Sequence, residues 1–184
     1  MPVPAALQSA STPDADLVRA FRDGREAAAT ELVARHARGL ARFLAAAGAD
    51  HGEVDDLVQE TFIKAFRALD SWRGESAFRS WLLSIASNLL KDQFRRRKGR
   101  TVLSLDDSDL AAADDPAATL DAREAERQLA DGLKTLPRLQ REVFLLRAQQ
   151  GMEYEAIAQA LETTPGSARV HYHHAVKRLK ELIA

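Results

Sequence analysis

Residues 53–98 read EVDDLVQETFIKAFRALDSWRGESAFRSWLLSIASNLLKDQFRRRK, and this stretch decides the fold. Its first part places Val54, Leu57, Val58, Thr61, Phe62, Ala65 and Leu69 at steps of three and four, the period of a helix with one apolar face. DSWRGES follows as a loop punctuated by Gly74, with Ser76 expected as the N-cap of the next helix. In that helix Phe78, Trp81, Leu82, Ile85 and Leu89 form the expected core stripe.

The opposite faces carry the chemistry. On the first helix Asp56, Gln59, Glu60, Ile63 and Arg67 share the polar side. A lone exposed isoleucine is common on protein surfaces, but one ringed by charge also fits a docking face with an apolar anchor. On the second helix Ser80, Ser84, Ser87, Asn88, Lys91 and Arg95 line up. A merely solvated face would carry more glutamate. An amide for a base edge with cations for phosphates suits DNA. Trp81 reads as packing, whereas Trp72, beside Arg73 in the loop, suits either stacking on an unstacked base or capping the core.

Net charge is −1, yet Lys91, Arg95, Arg96, Arg97, Lys98 and Arg100 form a basic block followed by Asp106, Asp107, Asp109, Asp114, Asp115 and Asp121. From residue 99 to 122 the composition is that of a flexible linker. Fully extended, about 22 such residues reach roughly 75 Å, and a tether of this kind raises the effective concentration of a second binding module.

Beyond the linker, Ala125, Leu129 and Leu133 mark one helix, and Leu139, Val143, Phe144 and Leu146 a second, opened by Pro137 and ending at Gly151. Tyr154, Ile157, Ala158 and Leu161 give a third. The turn Glu162-Thr163-Thr164 then leads into Pro165 and a last helix, which is the helix-turn-helix pattern. Ala168, Tyr172, Ala175, Leu179 and Leu182 are its expected core face, while Arg169, Val170, His173, His174 and Lys177 project outward as a recognition surface. Upstream of the central stretch, one helix is expected to open at Asp14 and stop near Gly24. A longer one runs from about Arg25 to Ala47, ended by Gly48, and residues 1–13 read as a disordered tail.

The 184 residues are 46% hydrophobic and only 6% aromatic, a globular composition suited to helical packing. With no cysteine, disulfides and thiolate metal sites are excluded. His171, His173 and His174 lack the carboxylate pattern of a metal site, so no metal and no cofactor are expected. Neither a membrane-spanning stretch nor a signal peptide is legible, which makes a cytoplasmic protein without direct membrane insertion the expectation. There is no glycine-rich phosphate loop or nucleophile elbow, and Asp55-Asp56 fits a helix start, so no catalytic residues are named and an enzyme is not expected.

The segments DDLVQETFIKAFRAL (55–69), WRGESAFRSWL (72–82) and IASNLLKDQFRRR (85–97) resemble region two of bacterial RNA polymerase sigma factors, and the helix-turn-helix resembles region four. Possession of these two regions alone is similar to the extracytoplasmic-function (ECF, group IV) class. The resemblance implies an all-α fold of two small helical domains, region two at 14–98 and region four at 123–184, joined by the linker. It implies an alternative sigma subunit that binds the β′ clamp helices and β flap of core RNA polymerase. Asp56, Gln59, Glu60, Ile63 and Arg67 would meet the clamp. The loop at Trp72 and Arg73, with Ser84, Ser87, Asn88, Lys91 and Arg95, would read and melt the minus-ten element. Arg169, Val170, His173, His174 and Lys177 would read the minus-thirty-five element. An anti-sigma factor is an implied partner, and one that is a membrane protein would hold the chain at the inner membrane.

Where the family commonly shows Lys/Arg-Ser-Arg-Leu and an arginine-rich run, this chain has Arg169-Val170-His171-Tyr172-His173-His174, which implies a different minus-thirty-five preference. The competing reading is a stand-alone helix-turn-helix regulator that binds duplex DNA without polymerase.

Overall fold

A computed structural model describes residues 12–100 and 120–183. Most of the tail expected at 1–13 and of the linker at 99–122, including the acidic residues Asp106 to Asp115, lies outside the described residues. Those that are described form eight α-helices and no strand.

The first module contains α1 (Asp14–Arg22), α2 (Glu26–Ala47), α3 (Val54–Arg67) and α4 (Phe78–Arg100). Helix α2 stops where expected: Gly48 adopts φ 101°, a left-handed conformation open to glycine without steric cost. Val18, Leu32, Phe43, Leu44, Ala65, Phe78, Leu82 and Leu89 make the centre of the core. Asp14 ties α1 to α2, accepting from Arg35 at 2.7 Å and meeting His36 at 2.9 Å.

Helix α4 begins at Phe78, with the Ala77 carbonyl accepting from the Ser80 and Trp81 amides. Ser76 is therefore not its cap. The Ser76 carbonyl instead accepts from the Trp72 indole at 3.2 Å.

The second module contains α5 (Leu120–Thr135), α6 (Arg138–Phe144), a π-turn over Leu145–Gln149, α7 (Tyr154–Ala160) and α8 (Pro165–Ile183). Thr164 caps α8, its hydroxyl oxygen accepting from the Ser167 amide at 3.1 Å. Val143, Leu145, Leu146, Ile157, Ala168, Ala175 and Leu179 are buried. Two expected core residues are exposed: Ala125, and Leu182, which is 54% exposed near the end of α8.

The two modules pack against each other. Helix α7 lies on α4, and α6 lies over the end of α2. Across this seam Arg138 stands 5.9 Å over the Phe94 ring, Lys91 pairs with Glu162, and Arg79 with Gln150. A Cβ on Gly48 would come within 2.7 Å of Arg141 Nη1, so the glycine also makes room for α6. Glu142, fully buried, is held by Arg138 at 2.5 Å.

Candidate functional site

Helix α3 presents the expected polar face. Asp56, Gln59 and Arg67 are exposed, Glu60 is half-buried and pairs with Lys64 at 3.4 Å, and Ile63 is 43% exposed. Ile63 is not isolated. It belongs to an apolar groove with Val33, Val58, Phe62 and Phe66, rimmed by Asp55, Asp56 and Gln59. Neither Val33 nor Phe66 was singled out for this face by the sequence reading. Phe66 lies one turn beyond Ile63 on α3, and the crossing of α2 and α3 brings Val33 to the same groove.

The loop after α3 has a buried root and an exposed tip. Trp72 is 8% exposed and meets the Phe78 ring edge-on at 5.7 Å. Of the two roles open to it, this geometry is the one that caps the core, and its ring is not available for stacking on a base here. Arg73, Gly74, Glu75, Ser76 and Ala77 are exposed, with Gly74 at φ 78° making the sharp turn.

The polar row on α4 is divided. Asn88 and Arg95 are exposed, and Lys91 is partly so, while Ser84 donates to its own helix at the Trp81 carbonyl, 2.6 Å away. Ser87 is 2% exposed, one turn before Lys91 on the face that meets α7. Ser87 therefore differs from the expected outward row, being buried on the side of α4 that meets the second module, while Ser84 is half-buried. In the basic block, Arg96 is exposed, Arg95 pairs with Asp92 at 2.7 Å, and Arg97 is drawn back onto Asp50 and Glu53.

Helix α8 shows the whole expected set. Val170 is 52% exposed, and Arg169, His173, His174 and Lys177 are exposed. Arg169 stacks 5.1 Å over Tyr154 and lies 3.5 Å from Glu155, which fixes its head near the start of the helix. The His173 and His174 rings lie 6.1 Å apart. Among the described residues no group of three His, Asp or Glu side chains is placed to hold a metal ion, and no helix is long and apolar enough to cross a membrane.

Comparison with known proteins accounts for both modules. The sigma-70 region 2 family matches residues 32–100, and the sigma-70 region 4 family matches residues 126–179. The ECF RNA polymerase sigma-E factor of Haemophilus influenzae is 32% identical over 180 residues, covering 92% of this chain and 95% of the other. The RNA polymerase sigma factor CnrH of Cupriavidus metallidurans is 36% identical over 160 residues, covering 80% and 83%. Among solved structures, the sigma factor RpoE in complex with the anti-sigma factor NepR from Bartonella quintana matches with a TM-score of 0.73 at 26% identity, over 84% of this chain and 95% of that one. CnrH in complex with the cytosolic domain of CnrY matches with a TM-score of 0.67 at 28% identity, over 92% and 96%. Two helical modules, a helix-turn-helix in the second and relatives that match both from end to end place this chain in the ECF class of RNA polymerase sigma factors.

Proposed function

We propose that the chain directs core RNA polymerase to its promoters through three surfaces. The groove at Ile63, with Asp56, Gln59, Glu60 and Arg67, docks on the β′ clamp helices. The exposed loop tip at Arg73, with Asn88, Lys91 and Arg95, engages the minus-ten element. Arg169, Val170, His173, His174 and Lys177 read the minus-thirty-five element. The chain contributes recognition and strand opening, and polymerase supplies the chemistry.

The observation that carries this reading is the groove: an isoleucine left 43% exposed, continuous with Val33, Val58, Phe62 and Phe66 and rimmed by Asp55, Asp56 and Gln59. Apolar anchors inside a polar rim are the usual anatomy of a protein–protein contact. An anti-sigma partner is supported by the RpoE structure, which contains the anti-sigma factor NepR and whose fold matches over 84% of this chain. Ser87, buried on the side of α4 that meets α7, reaches DNA only once α7 leaves α4. Separation of the modules therefore accompanies promoter binding in this proposal.

Run-off transcription with core polymerase tests it. Promoter-dependent transcripts that require the chain are expected; their absence from every promoter recovered with the holoenzyme would overturn it. Tight binding of the isolated chain to a palindromic duplex would favour the stand-alone regulator instead.

A further inference from the structure

Arg22, the last residue of α1, reaches out of its own helix to the loop that follows α3. Its Nη2 donates to the Leu69 carbonyl at 2.6 Å and to the Trp72 carbonyl at 2.9 Å, and its Nε lies 3.7 Å from Asp70. The end of α1 is itself fixed, because Phe21 packs on Phe66 of α3 at 5.1 Å. Residues 69–72 are thus held from outside by one guanidinium. From inside they are pinned by the Trp72 ring, whose indole N–H returns to the Ser76 carbonyl. What remains is a short exposed tip standing on two fixed points.

We infer that Arg22 is a positioning residue for promoter reading: it holds the loop tip, Arg73 to Ala77, in the shape that receives an unstacked base. The inference rests on the proposed role of this loop in minus-ten recognition. Its physical basis is preorganisation. Taking a base out of the stack is already costly, and a loop that must also be ordered at the moment of binding loses affinity and selectivity. Both carbonyls are served by one guanidinium nitrogen, Nη2, while Nε of the same rigid plane faces Asp70; an ammonium also carries several donors but cannot hold them in a fixed plane. The contacts go to backbone carbonyls, so they set the path of the chain and are indifferent to the side chains displayed on it.

The experiment uses holoenzyme assembled from the full chain and core polymerase, with a library of single-stranded oligonucleotides randomised over the minus-ten segment as the probe. Arg22→Ala is expected to reduce the preference for the favoured base at the loop-read position roughly 10- to 100-fold, as small misplacements of a positioned group do, with core binding and preferences elsewhere kept within about twofold. Amide exchange of residues 71–77 should accelerate in the same variant. Arg22→Lys should fall between wild type and alanine. If Arg22→Ala does not fold, Arg22→Lys decides: weakened preference with intact core binding supports the inference, and unchanged preference overturns it. Unchanged base preference in a folded Arg22→Ala, or a uniform loss at every position together with loss of core binding, would overturn it as well. Arg73→Ala and Glu75→Ala separate the two layers. If they leave every preference unaltered, the loop does not read the element, and the underlying assignment fails along with the inference.

Discussion

Lys91, on the helix proposed to meet promoter DNA, is paired with Glu162, in the turn of the helix-turn-helix. The two modules thus share a cation that DNA would claim. Both side chains remain well exposed, at 39% and 62%, so the pair contributes at most about 1 kcal/mol. Lys91→Ala is accordingly expected to leave thermal stability almost unchanged. It should weaken promoter binding across sequences and lower the magnitude of the salt slope by roughly 0.9, the signature of one lost phosphate contact. Titration of holoenzyme with promoter DNA at several salt concentrations measures both.

Glu162 is the one residue other than glycine, among those described, with positive φ, at 52°. The left-handed conformation costs such a residue roughly 1–2 kcal/mol, more than the exposed ion pair returns. Glu162→Gly should therefore raise the melting temperature by about 2–4 °C for a chain of this size. A lower melting temperature would mean that the turn depends on the glutamate side chain.

Ile63→Glu should spare the fold, since Ile63 is 43% exposed and surface changes of this kind shift stability by about 0.5 kcal/mol or less. Core binding should fall by a factor of about 30 or more, as for an anchor worth 2 kcal/mol. Retained affinity, measured by competition for core polymerase, would remove the groove from the docking surface.

Burial pushes the Glu142 carboxyl above the ordinary glutamate range, against the opposing pull of Arg138, Arg141 and Lys91. The folded chain thus holds this proton more tightly than the unfolded chain does. The associated stability is fully present below the ordinary value, about 4.3, and is lost as pH rises through the raised one. Glu142→Gln keeps the shape and an acceptor for Arg138 but cannot ionise. The stability of the variant relative to wild type should therefore grow with pH across that window, by at most about 1.4 kcal/mol per pH unit, and level off above it. Denaturant unfolding at a series of pH values checks this.

Helical periodicity and turn chemistry carried most of the fold. Gly48 ends α2, Pro165 opens α8, and the recognition face on α8 needs nothing beyond residue spacing. One misreading falls where one module meets the other. On α4 the stripe of Phe78, Leu82 and Leu89 was visible, but Leu83, Ala86 and Leu90, also at steps of three and four, form a second buried set. Two apolar stripes mean a helix covered on more than one side, here by α2, α3 and α7. That signal was present and would have removed Ser87 from the exposed row. Trp72 could not be assigned from sequence, because its burial depends on where Phe78 and the Ser76 carbonyl lie in space. Arg22 was invisible for the same reason: its carbonyl partners lie 47 and 50 residues away and belong to the backbone.

The contact between the modules has a lopsided character. Its apolar and aromatic groups fit, yet Ser87 Oγ, Arg141 Nε and Glu142 Oε2 are shut away without a protein hydrogen-bond partner. Each such group costs free energy while enclosed and recovers it on meeting solvent or a new ligand. The seam is therefore held less firmly than its apolar and aromatic contacts alone would hold it.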